Sequence, residues 1–69
     1  MNTQKIISNE YYTAVVVNKK NWHMFKTKKH ATGQKAYEEA AKIAIRKNIT
    51  EIGIDIYQHT KEGVKVFYV

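Results

Sequence analysis

The sequence predicts an α+β domain of element order ββαββ, a four-stranded, mainly antiparallel sheet with one helix packed on one face. Three patterns carry that expectation. Residues 11–17 and 22–25 are β-branched and aromatic runs split by the polar Asn18-Lys19-Lys20-Asn21, the composition of a hairpin. Residues 34–47 repeat apolar side chains at helical spacing, and Ile52, Ile54 and Ile56 alternate with Gly53, Asp55 and Tyr57, the period of a strand covered on one face.

Residues 1–10 read as a flexible N-terminal arm, and residues 11–69 as a single domain. Tyr11 to Val17 is the first strand and Trp22 to Phe25 the second, with Asn18 and Asn21 suited to turn geometry between them. Lys26 to Ala31 is a basic loop. Thr32 is placed as the helix N-cap, because its hydroxyl can accept from an orphan amide of the first turn. On a helical wheel Ala36, Tyr37, Ala40, Ala41, Ile43 and Ala44 share one arc, with Glu38 and Lys42 opposite as an i,i+4 pair. Alanines on the buried arc let the helix approach a sheet closely. Lys47 and Arg46 suit the negative end of the helix dipole, and Asn48 suits the cap. Gln58 to Gly63 is the last turn, and Val64, Val66 and Tyr68 alternate with Lys65 and Phe67 as the closing strand.

A chain of 69 residues holds one core, and a domain of this size buries only about 60% of its unfolded surface. It contains neither cysteine nor proline, so no disulfide or thiolate metal site braces it. No apolar run approaches the ~20 residues of a membrane span, and residues 1–10 hold no signal-peptide apolar core. The expectation is a soluble, cytoplasmic protein with no membrane partner.

Twelve Lys and Arg against six Asp and Glu give a formal charge of +6. Between Tyr11 and Tyr37 stand six lysines, two histidines and no acid. From Glu38 onward the chain is nearly balanced. One basic half gives a directional field that favours anionic partners. Lysine also keeps small proteins soluble, and bidentate phosphate recognition prefers arginine, of which there is one.

The residues offer no catalytic set. His23, His30 and His59 are far apart, with none at i,i+4 and none beside a carboxylate cluster, so neither a metal centre nor a cofactor is expected. There is no Cys to activate, and Ser8 lies in the arm. Glu51 and Asp55 on one strand would be solvated. Gly33 and Gly63 belong to no phosphate-cradling loop. The expectation is a non-enzymatic binding module.

What remains is a basic surface interleaved with aromatics. With the helix over Ile52, Ile54 and Ile56, Tyr57 and Phe67 are expected on the other face with Asp55 and Lys65, joined by half of Tyr11, Tyr12, Trp22 and Phe25. Such a face suits single-stranded nucleic acid, since every base offers a ring to stack. It also suits a dimer or a protein partner, and plain cross-strand packing.

From Trp22 onward the pattern resembles DUF2188, a family of small bacterial and phage domains without known activity. The residues that carry the likeness are Trp22, Phe25, Thr32, the helix Lys35 to Ala44, and His59 followed by Gly63. The loop before the helix is heavier in lysine than that pattern, and the Gln58 to Gly63 turn lacks the family's usual Asp-Gly ending. The half comprising Trp22, Phe25 to Lys29, Ala36 and Ala40 also resembles the arm-type DNA-binding domain of tyrosine recombinases. The first likeness implies the ββαββ fold, and the second implies DNA contact through a sheet.

The preferred reading is nucleic-acid binding through the first hairpin and the loop before the helix. Lys19, Lys20, Lys26, Lys28 and Lys29 neutralise phosphates there, and Trp22 or Tyr57 stacks on bases. The alternative is a homodimeric or protein-interaction accessory protein, such as a phage-encoded modulator of a host factor. Length and lysine richness suit a phage or mobile-element product.

Overall fold

The computed structural model describes residues 10–68; the arm expected at residues 1–10 lies outside them except for Glu10, as does Val69. Four strands and one helix follow in the order β1 (Tyr11–Asn18), β2 (His23–Lys26), α1 (Gly33–Arg46), β3 (Ile52–Thr60) and β4 (Gly63–Tyr68). The strands form one antiparallel sheet in the order β2-β1-β3-β4. The fold is therefore α+β with the ββαββ order. Among the described residues no helix is long and apolar enough to cross a membrane.

The helix lies over the two central strands, β1 and β3. Its contact stripe is Gly33, Ala36, Ala40, Ile43 and Ala44, and its small side chains permit a close approach. A Cβ added at Gly33 would stand 3.4 Å from the Tyr12 ring and 3.6 Å from Ile56. The core joins Ala14 and Val16 of β1 and Ile54 of β3 to Ala36, Ala40, Ile43 and Ala44, with Tyr12, Phe25, Ile49 and Ile56 at its margin. Val16 is the largest side chain fully buried. Tyr37 belongs to the apolar arc by period but stands exposed, outside the buried stripe of Ala36, Ala40, Ile43 and Ala44.

Capping follows the sequence closely. The amide of Lys35 donates to Thr32 Oγ1 at 3.1 Å, which satisfies one orphan donor of the first turn. At the other end Lys47 is the cap residue. Asn48 takes the left-handed conformation just beyond it, with φ 55°, which asparagine tolerates well. Glu38 accepts from Gln34 Nε2 at 3.1 Å, where the sequence suggested a Lys42 pair.

Three boundaries differ from the sequence reading. Trp22 belongs to the first turn, so that β2 starts at His23. The Trp22 amide donates to the Asn18 carbonyl at 2.6 Å, and Asn18 and Asn21 side chains accept from the amides of Lys20 and His23. Turn bonds of this kind hold the residue more firmly than its strand propensity does. The segment expected to be a turn from Gln58 narrows to Lys61-Glu62, with β3 running on to Thr60 and Gly63 at φ 140° opening β4. The residues expected as a basic loop from Lys26 instead follow β1. Lys26 pairs with Val15 and His30 pairs with Tyr12, so three residues, Thr27 to Lys29, face two. That is a one-residue bulge.

The turn carries backbone strain. Trp22 has φ 64°, a region where a bulky residue costs about 1–3 kcal/mol. Asparagine visits it far more readily. Trp22→Asn is expected to raise the urea midpoint by the equivalent of about 1 kcal/mol, followed by circular dichroism because this is the chain's single tryptophan. Trp22→Ala, which keeps the Cβ penalty, is expected to show no such gain.

Candidate nucleic-acid interface

The pleat gives each face of the sheet a fixed set of residues. Opposite the helix stand Tyr11, Thr13, Val15 and Val17 of β1, Met24 and Lys26 of β2, Asp55, Tyr57 and His59 of β3, and Val64, Val66 and Tyr68 of β4. Their rows follow from the register, in which Tyr11 pairs with His59 and His59 with Val64, Thr13 with Tyr57 and Tyr57 with Val66, Val15 with Asp55 and Asp55 with Tyr68. No helix covers this face among the described residues. An open groove of about 550 Å³ runs across it, lined by Thr13, Val15, Met24, Lys26, Tyr57, His59 and Val64, with Phe25 at its border.

Phe67 and Lys65 are corrections to the expected face. They pair with Ile56 and Gln58, which puts them on the helix side of the sheet. The sequence reading set odd positions of β3 beside odd positions of β4, whereas the two-residue Lys61-Glu62 turn pairs odd positions of one with even positions of the other. Val64, Val66 and Tyr68 take the open positions instead.

The aromatic part of the face is ordered by side-chain contacts. Tyr11 and His59 stack with ring centroids 4.4 Å apart and planes 11° apart. Tyr57 flanks His59 at 6.4 Å. Thr13 Oγ1 and His59 Nε2 share a hydrogen bond of 2.9 Å, which fixes the imidazole plane. Lys29 Nζ stands 4.7 Å from the Tyr11 ring centre, within cation–π range. The bulge places it there, since the extra residue turns His30 to the helix side and Lys29 to the open side.

The expected site residues separate into three places. Lys26, Lys29 and Tyr57 lie on or beside the open face. Lys19, Lys20 and Trp22 are at the tip of the β1–β2 turn, with Trp22 68% exposed. Lys19 bends back onto the sheet, its Cε lying 3.0 Å from where a Gly53 Cβ would stand, so its stem crosses the foot of the open face. Lys28 departs from the others. It lines a second groove with His30, Lys35, Glu38, Glu39 and Lys42 on the helix side.

That second groove is held by a carboxylate. Glu39 Oε1 lies 2.6 Å from His30 Nε2 and accepts from the Lys28 amide at 3.1 Å. The His30 hydrogen bond holds the Glu39 carboxyl below the usual range, the Lys28 amide adds to this, and partial burial opposes it. The pair ties the bulged segment to the helix. Nothing in the spacing of His30 and Glu39 announces it, since one lies in a loop and the other on a helix. Among the described residues no group of three or more His, Cys, Asp or Glu is placed to hold a metal ion.

Tyr11, Met24, His59 and Tyr68 were not singled out from the sequence as site residues. The pairing of Tyr11 with His59 brings those two onto the open face, as pairing with Val17 brings Met24 and pairing with Asp55 brings Tyr68. No family model, curated protein or solved structure matches this chain, so neither family resemblance gains support from them.

Proposed function

We propose that the open face binds single-stranded nucleic acid. One observation carries the reading: Lys26, Tyr57 and His59 line one groove of the open face, Tyr11 stacks on His59 beneath Lys29, and Lys19 lies against Gly53 on the same face. Phosphates take the lysines and bases take the rings, the arrangement by which sheet platforms bind single strands with little sequence preference. Asp55 is the one acid among the described open-face positions. The formal charge of +6 adds long-range attraction for a polyanion. Lys20 and Trp22 at the turn tip extend the track, and Lys28, on the helix side, contributes only to the general field.

The test is a titration of labelled oligonucleotides at two salt concentrations. Tyr57→Ala is expected to weaken binding by roughly 5- to 150-fold, the ~1–3 kcal/mol of one stacked base. Alanine at Lys19, Lys26 and Lys29 together is expected to flatten the logarithmic salt dependence by about 2, since each single-strand phosphate contributes about 0.7. Absence of binding at about 50 mM salt sinks the proposal. Equal affinity for duplex with no effect at Tyr57 would move the contact to a DNA groove, as the recombinase likeness implies.

A further inference from the structure

The two edges of the sheet are built differently. β2 has only four residues, ends at the Thr27 to Lys29 bulge, and with that bulge presents Lys26, Lys28 and Lys29 along its edge. Short length, a bulge and lysines are the usual devices that stop an edge from pairing with another strand. β4 has no bulge and a single lysine along its length. Its pairing with β3 runs unbroken from Thr60–Gly63 to Asp55–Tyr68, the chain contains no proline, and its one charge is Lys65. All six of its residues are exposed. Val64 is 54%, Val66 36%, Phe67 49% and Tyr68 79% exposed.

We propose that β4 pairs with β4 of a second copy, antiparallel and centred on Val66. The two-residue turn makes Thr60 and Gly63 the hydrogen-bonded closing pair, and the alternation of the ladder then turns the N–H and C=O groups of Val64, Val66 and Tyr68 outward. With Val66 opposite the partner's Val66, Val64 meets the partner's Tyr68 and Tyr68 meets the partner's Val64. Every outward backbone group among these three residues gains a partner. On the helix side Lys65 falls opposite the partner's Phe67, an ammonium against an aromatic ring. Lysine never faces lysine in this register, and valine–tyrosine is a favourable cross-strand pair.

The size of the contact fixes its strength. The four apolar side chains expose on the order of 400 Å² per copy. Even with the strand backbone added, the interface falls short of the ~800 Å² per partner of a standard complex. The dimer is therefore concentration-dependent. Two chains of charge +6 repel each other, so salt strengthens this contact while it weakens binding to a polyanion. The two proposals thus fail separately.

Sedimentation velocity over a concentration series, at low and at moderate salt, tests the pairing. The average mass is expected to rise towards twofold with concentration, more so at higher salt, and Val66→Lys, which sets two ammonium groups face to face, is expected to abolish the rise. In the unaltered chain an isotope-filtered cross-peak between the Hα of Lys65 and the Hα of the partner's Phe67 is expected, with dilution shifts centred on residues 63–68. A monomer at about 1 mM overturns the proposal, as does a dimer whose dilution shifts fall on residues 1–9 or on the open groove.

Discussion

Replacing Ala40 by leucine is expected to bring the domain to the edge of unfolding. Ala40 is fully buried on the helix stripe that meets β1 and β3. Its neighbours Ala36 and Ala44 are equally small, and a Cβ added at Gly33 would already stand 3.4 Å from the Tyr12 ring. A leucine there has no void to enter and must lift the helix. Overpacking of a tight core costs about 1–3 kcal/mol, and lifting the helix also separates Ile43 from Ile54. A domain of this length has on the order of 3–10 kcal/mol in total. The expected result is a loss of about 3 kcal/mol or more, read as a fall in the urea midpoint. Ile45→Lys is the control. Ile45 is exposed, and a change there is expected to stay within about 0.5 kcal/mol.

The second large effect is at Thr27. Its side chain completes the sheet where the bulge interrupts the ladder. The buried Ala14 amide donates to Thr27 Oγ1 at 2.9 Å, the Thr27 amide donates to the Ala14 carbonyl at 2.9 Å, and the Thr27 hydroxyl donates to the Lys28 carbonyl at 2.9 Å. Removing the hydroxyl leaves the Ala14 amide buried without a partner, which costs about 1–3 kcal/mol. Thr27→Val keeps the volume and Thr27→Ala does not, yet both are expected to lose that amount by urea denaturation. Thr27→Ser is expected to restore most of it. Equal stability of the serine and valine variants would show that packing, not the hydrogen bond, holds the bulge. The variants that lose the bulge are also expected to release Lys29 from Tyr11, linking this stability term to the open face.

Much of the fold was legible in the sequence because it rests on local patterns. The 3.6 period of Ala36, Ala40, Ile43 and Ala44, the hydroxyl of Thr32 and the alternation of Ile52, Ile54 and Ile56 are each settled within a few residues. What was hidden depended on pairing between distant segments. Whether Phe67 faces the helix turns on the length of the Lys61-Glu62 turn, since a change of one residue reverses every side chain of β4. The Thr27 bulge leaves no composition signal, because threonine suits a plain strand equally well. The candidate site was legible by composition, as lysines and aromatics in residues 18–30 and Tyr57, but not by arrangement. Lys28 and Lys29 are neighbours in sequence and lie on opposite sides of the sheet, while Tyr11 and His59 are far apart and stack.

The unequal edges have a consequence for how far association can proceed. A sheet with two unguarded edges is a template at both ends, and each added copy offers a fresh one. Here the bulge and lysines at the β2 edge remove one template, and the proposed twofold pairing of β4 consumes the other. Growth has nowhere to continue after the second copy. The Thr27 bulge thus sets a stop on assembly as well as placing Lys29, and a variant that straightened β2 would turn a closed pair into the repeating unit of a fibre.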